Sequence, residues 1–274
     1  MIDAHVHFWK YHPVKDSWIS SDMEVIRKDF LPAALESCFL DNGVEGCVAV
    51  QADQSEAETN FLLAEAEKNQ IIKAVVGWID LRNPGLEERL KHFGQFTKLK
   101  GFRHIAQAEP KGFLLQKEFI KGLELLGHYN FTYDVLLKAN QLDDAIKLVE
   151  RLPNQPFVLD HCCKPDIKGK DTALWREQMQ ILAQNSNLQC KVSGLITEAD
   201  WQQWNEKDIF NCLDVVFDCF GIERLLFGSD WPVMLLAGSY THWIELLKSY
   251  TQQFTAAERK KFFSENTKTF YKIY

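Results

Sequence analysis

Short apolar runs rich in Val, Ile, Leu and Phe recur along the chain, separated by stretches whose apolar residues repeat every three or four positions. The first pattern predicts buried strands and the second amphipathic helices. Eight strands are expected: Ile2–His7, Gly46–Ala52, Lys73–Asp80, Leu99–His104, Phe131–Leu137, Phe157–His161, Gln189–Gly194 and Arg224–Asp230. Most begin about 30 residues apart, the length of a strand, a crossover helix and two loops.

The helices carry their own signals. Ser55 with Glu58 forms a capping-box pattern opening Glu56–Asn69, and Thr255 with Glu258 repeats it ahead of Arg259–Ser264. Pro32 suits the first turn of Leu31–Leu40, which Gly43 can end. Asn140–Leu152 aligns Leu142, Ile146 and Val149 on one face and stops at Pro153. Strands alternating with helices predict an α/β fold, a (β/α)8 TIM barrel, as one domain over residues 1–274. A doubly wound open sheet is the alternative; eight strands and the lack of a glycine-rich phosphate loop argue against it.

Two stretches break the rhythm. Between Phe8 and Phe30, a segment with Trp9, Tyr11, His12, Pro13 and Trp18 is too long for a simple link, and is expected as a lid over the barrel mouth or as a packed surface loop. Within Thr197–Phe220, Trp201 is expected to face the mouth and Trp204 to pack.

Composition narrows the partner. The chain has 46% hydrophobic residues, and its 31 Lys and Arg against 38 Asp and Glu leave a charge of −7, which gives no footprint for nucleic acid or an anionic membrane. A small molecule fits better. Seven cysteines without CxxC spacing or a secretory leader read as reduced thiols of a cytoplasmic protein. Cys212 and Cys219, seven apart, suit one buried helix face. No apolar run approaches the ~20 residues needed to span a bilayer. Scattered surface apolar residues leave a homo-oligomer open.

Active sites of this architecture lie where strands end, and here those ends collect polar groups. Side chains two apart on a strand share a face, so Asp3, His5 and His7 are expected together. The same period places His161 inward with Phe157 and Leu159. Asp230 closes the apolar run Leu225-Leu226-Phe227, where a carboxylate needs a partner or a job. Arg103 suits a ligand carboxylate or a structural ion pair.

The motifs Ile2-Asp3-Ala4-His5-Val6-His7-Phe8-Trp9, Gly101-Phe102-Arg103-His104, Val158-Leu159-Asp160-His161 with Lys164-Pro165, Lys191-Val192-Ser193-Gly194-Leu195 and Leu226-Phe227-Gly228-Ser229-Asp230-Trp231-Pro232 run in order along the chain. Together they resemble the amidohydrolase superfamily, and within it the amidohydrolase-2 branch of sugar-lactone hydrolases, which includes L-fuconolactonases, L-rhamnonolactonases and a dicarboxylate-pyrone lactonase. The resemblance implies lactone hydrolysis with His5, His7, His161 and Asp230 around the scissile carbonyl. Asp230 would be the general base and the histidines would polarise the carbonyl, directly or through a metal. Arg103, His104, Lys164, Trp231 and Trp201 are the expected substrate-binding residues.

Binuclear relatives carry a carbamylated lysine ending strand four and a histidine ending strand five, and neither is present here. A single Zn²⁺ on His5, His7, His161 and Asp230 is therefore the expected limit, and catalysis is expected without an obligatory metal. Cys162 and Cys163 are read as packing, with a ligand role as the alternative. Two other functions are carried forward: a zinc-dependent decarboxylase of the same branch, and a non-catalytic barrel binding a carbohydrate or carboxylate.

Overall fold

The computed structural model describes Met1–Tyr274. Eight parallel strands follow one another in chain order: β1 (Ile2–Val6), β2 (Gly46–Val50), β3 (Ile72–Gly77), β4 (Leu99–His104), β5 (Thr132–Val135), β6 (Phe157–Leu159), β7 (Leu188–Val192) and β8 (Leu225–Phe227). Their outer face is covered by α1 (Ala33–Asn42), α2 (Glu56–Lys68), α3 (Leu86–Phe93), α4 (Lys117–His128), α5 (Leu142–Arg151), α6 (Ala173–Leu182), α7 (Glu206–Phe220) and α8 (Tyr240–Tyr250). The sheet curls into a (β/α)8 barrel. Its seam is closed just beyond β8, where Val6 bridges Trp231 and the His7 N–H donates to the Trp231 carbonyl at 2.7 Å.

Several strands are shorter than the apolar runs imply, because the ladder stops where polar mouth residues begin. β1 ends before His7, β6 before Asp160 and β8 before Gly228. The Gly43 stop holds, and the two capping-box signals each need a revision. Gly43 ends α1 in the left-handed conformation, φ 68°. Ser55 accepts from the Glu58 N–H at 3.1 Å, yet the Glu58 carboxylate turns inward to Lys15 Nζ at 2.8 Å and the Ala52 N–H, so only half the capping box forms. At Thr255 the full box is present, but the helix it opens, Ala256–Lys260, passes through a π turn, Lys261–Glu265, before Asn266–Phe270.

Two apolar layers follow from strand alternation. Cys47, Ala49, Val75, Phe157 and Leu159 belong to the large core between sheet and helices. Ala4, Val48, Val50, Ala74, Val76, Val158 and Leu226 form a second cluster with Phe270 and Tyr271, filling the barrel's lower interior. Above that apolar floor the inward positions become charged.

Candidate active site

β1 does not alternate strictly. Its pairing with β2 shifts between Asp3 and Val6, so Asp3 leaves the face of the two histidines. Asp3 accepts from Tyr240 of α8 at 3.0 Å, from the Ser229 N–H at 2.9 Å and from the His5 N–H at 3.0 Å, tying strand one to the loop that carries Asp230. Burial raises its carboxyl to about 6, against these hydrogen bonds. His5 and His7 stay together, their Nε2 atoms 3.1 Å apart.

His161 also reaches the mouth by a route that period two does not describe. Phe157 and Leu159 face the helices, while Val158 lies in the interior cluster and Asp160 makes its contacts inside the barrel. The chain then turns through four consecutive left-handed residues, His161, Cys162, Cys163 and Lys164, with φ of 52°, 49°, 58° and 51°. Each such non-glycine residue costs on the order of 1 kcal/mol, so neighbours must hold the turn. Trp175 Nε1 donates to the Cys162 carbonyl at 2.8 Å, Cys162 Sγ donates to the Lys191 carbonyl at 3.3 Å, and both thiols are buried. The two cysteines pack; neither joins the cluster of metal-ligand atoms. His161 Nδ1 meets Ser193 Oγ at 2.9 Å. Behind the ring lies Gly194, φ 64°, where a Cβ would fall 2.7 Å from His161 Nδ1. Gly194→Ala is therefore expected to displace the ring and lower catalytic efficiency by about 100-fold, with the fold kept, as read by kcat/KM beside circular dichroism.

Asp230, φ 64°, sits among three imidazoles. Its Oδ1 lies 3.4 Å from His7 Nε2 and 3.8 Å from Nε2 of both His5 and His161. Burial pushes this carboxyl up, but His161, His7 and Lys164 outweigh it and hold the group below its ordinary value, so it is ionised at neutral pH. Burial keeps His5 and His161 well below the usual histidine range, hence neutral. His7 Nδ1 faces the Val50 carbonyl at 2.8 Å; a carbonyl only accepts, so Nδ1 carries a proton and Nε2 is the atom turned towards Asp230.

Beneath the histidines runs a buried charge network in which Arg103 makes the structural ion pair that was one of its two expected roles. Lys191 Nζ contacts Asp134 at 2.5 Å, Asp160 at 3.0 Å and His5 Nδ1 at 3.2 Å. Arg103 Nη1 donates to Asp160 at 2.9 Å and lies 3.2 Å from His5 Nε2, while Nη2 donates to the Gln51 carbonyl. Two carboxyl groups thus face an amine and a guanidinium in the barrel interior. Burial would raise Asp160, but Lys191, His5 and Arg103 hold it well below the ordinary value. The available signal is a lone Asp134 and a lone Lys191 inside otherwise buried strands of opposite charge.

A cavity of about 350 Å³ opens above His7, His161 and Asp230. Arg103 and Lys164 line it, and Lys164 is also paired with Glu198 at 2.9 Å. His104, Trp231 and Trp201 are not part of its wall. His104 stacks on Phe113 at 4.6 Å and faces Glu109 at 3.0 Å; Trp231 packs between Phe30 and Phe8; Trp201 donates to the Thr197 carbonyl at 2.9 Å. His104 and Trp201 spend a ring nitrogen on the protein, and Trp231 is used in packing. Trp204, expected to pack, donates to the Ala237 carbonyl and stacks on His242. The wall instead takes Trp9 and Trp18 from the irregular segment after β1, together with Gln54 and Gln107.

The donor set suits one divalent cation. Ligand atoms of His5, His161 and Asp230 lie within 4.8 Å of one another, and imidazole plus carboxylate is a zinc-type combination. His7 itself lies beside that three-residue set rather than within it, a narrower arrangement than the four ligands expected from the motifs.

A family model described as amidohydrolase matches residues 2–273. An L-fucono-1,5-lactonase of Burkholderia multivorans is 41% identical over 270 residues, covering 94% of this chain and 91% of that one. A second L-fucono-1,5-lactonase, from Burkholderia ambifaria, is 30% identical over 280 residues, covering 99% and 95%. The crystal structure of an amidohydrolase from Burkholderia multivorans with bound zinc superposes with a TM-score of 0.97 at 39% identity, covering 100% of this chain and 99% of that one.

Proposed function

The chain belongs to the amidohydrolase family, and from that premise we propose that it is a hydrolase opening a sugar-acid lactone of the L-fucono-1,5-lactone type. The observation that carries this reading is the ionised Asp230 carboxylate among His5, His7 and His161 at the base of the cavity. Hydrolysis of a cyclic ester needs a base for water and hydrogen-bond donors for the carbonyl oxygen.

Asp230 takes the proton from the attacking water. His7, its Nδ1–H spent on Val50, orients that water through Nε2. The donors for the developing oxyanion are His161 and Arg103. When the Ser193 hydroxyl donates to His161 Nδ1, the ring proton sits on Nε2, which faces Asp230 and the cavity. Lys191 and Asp160 fix His5 from below. A divalent ion held by His5, His161 and Asp230 would supply Lewis-acid polarisation of the same carbonyl. The proton returns to the ring oxygen as it leaves, giving the open-chain aldonic acid, which ionises to the aldonate and releases a proton to solvent.

The test is proton release from a panel of 1,4- and 1,5-aldonolactones, including L-fucono-1,5-lactone, with and without chelator. Turnover that survives chelation is expected. Failure to open any lactone overturns the assignment, whereas loss on chelation with recovery on adding Zn²⁺ overturns only the metal-independent mechanism.

A further inference from the structure

Among the cavity residues, Gln107 has a carboxamide with no work to do inside the protein. Its Oε1 is buried without a hydrogen-bond partner. Other buried glutamine oxygens share that lack, but Gln51 Nε2 donates to the Arg103 carbonyl, Gln155 Nε2 to the Phe131 carbonyl and Gln178 Nε2 to Asp143, while Gln189, on β7, is not part of the cavity wall. No such anchor holds Gln107, and it borders the cavity floored by Asp230.

The backbone that presents it is fixed from two sides. Gln141 Nε2 donates to the Ala106 carbonyl at 2.9 Å and to the Glu109 carbonyl at 3.0 Å, clamping the turn Ala106–Ala108. On the other side Gln54 Oε1 accepts from the Ile105 N–H at 2.8 Å. An amide on a fixed backbone, with an unpaired acceptor and no anchor of its own, is a costly arrangement unless a ligand draws it into the cavity and completes it. A carboxamide donates and accepts at once, which matches a hydroxyl group.

We propose that Gln107 is a specificity-determining residue whose carboxamide hydrogen-bonds a ring hydroxyl of the sugar lactone, selecting polyhydroxylated lactones over unsubstituted ones. The proposal rests on the lactonase reading above and adds the group that reads the substrate. A site built to pair a hydroxyl discriminates against the analogue lacking it, because its own polar atom is then left buried and unpaired.

Gln107→Met keeps the length of the side chain and removes the amide. Two measurements decide: kcat/KM for L-fucono-1,5-lactone relative to δ-valerolactone, which has no hydroxyls, and binding of the aldonate product followed by tryptophan fluorescence, since Trp9 and Trp18 line the same cavity. The selectivity ratio is expected to fall by about 10- to 100-fold and the aldonate to bind about 10-fold more weakly, with the melting temperature unchanged or raised. Equal loss on both lactones, or no change on either, overturns the proposal. If the parent opens no lactone, the hydrolase reading fails by itself and aldonate binding decides for Gln107: equal affinity in parent and variant, or binding to neither, overturns it.

Discussion

Asp230→Asn is expected to lower kcat for lactone hydrolysis by about 1,000-fold, within the range of a lost general base, while KM changes little. The amide keeps the carboxylate's shape but cannot take a proton from water. Asparagine also tolerates the left-handed φ of 64° at this position, so backbone strain does not confuse the result. Removing the negative charge takes away the attraction that Asp230 exerts on the surrounding imidazoles, and a melting curve read beside the proton-release assay separates that effect from catalysis. An asparagine variant as fast as the parent would remove Asp230 from the mechanism.

Lys191→Met should have the largest effect on stability. The ammonium touches Asp134, Asp160 and His5, and all four residues are buried. Methionine fills much of the space but leaves two carboxylates facing one guanidinium, Arg103. Stripping one partner from a buried ion cluster costs about 3–5 kcal/mol, because the charge left behind stays desolvated. Urea unfolding measures this directly, and a loss below about 1 kcal/mol would mean that water reaches the network. Combining Lys191→Met with Asp134→Asn should recover part of the loss, since the two residues share one interaction.

The sequence made the barrel legible because its periodicity is a direct consequence of strands buried on both faces and helices buried on one. It also put Asp230, His5, His7 and His161 at strand ends, which the closed sheet brings to one rim. What it obscured are departures from period two. The shift in β1 sends Asp3 outward to Tyr240, and the left-handed turn after Leu159 delivers His161 to the mouth although Leu159, two residues before it, faces the helices. Neither is written in a hydrophobic pattern, because both depend on hydrogen bonds to residues more than 30 positions away, such as Ser229 and Ser193. Motif proximity misleads in another way: His104 and Trp231 sit beside site residues in sequence yet point into the shell around the barrel. Gln54 and Gln107 lie in loops with no periodic signature at all.

The floor of the barrel ties this interior to the order in which the chain is made. Phe270 and Tyr271 close the lower end, and the Tyr271 hydroxyl donates to Asp134 at 2.8 Å, so the charge network is completed by residues that follow all eight strands. Without those last residues, nothing in the barrel's lower cluster would lie between Asp134 and the water below it. Sealing that opening is the step that turns a solvated salt pair into a dry one. The catalytic rim is thus stiffened from the opposite end of the barrel, by residues that close the chain.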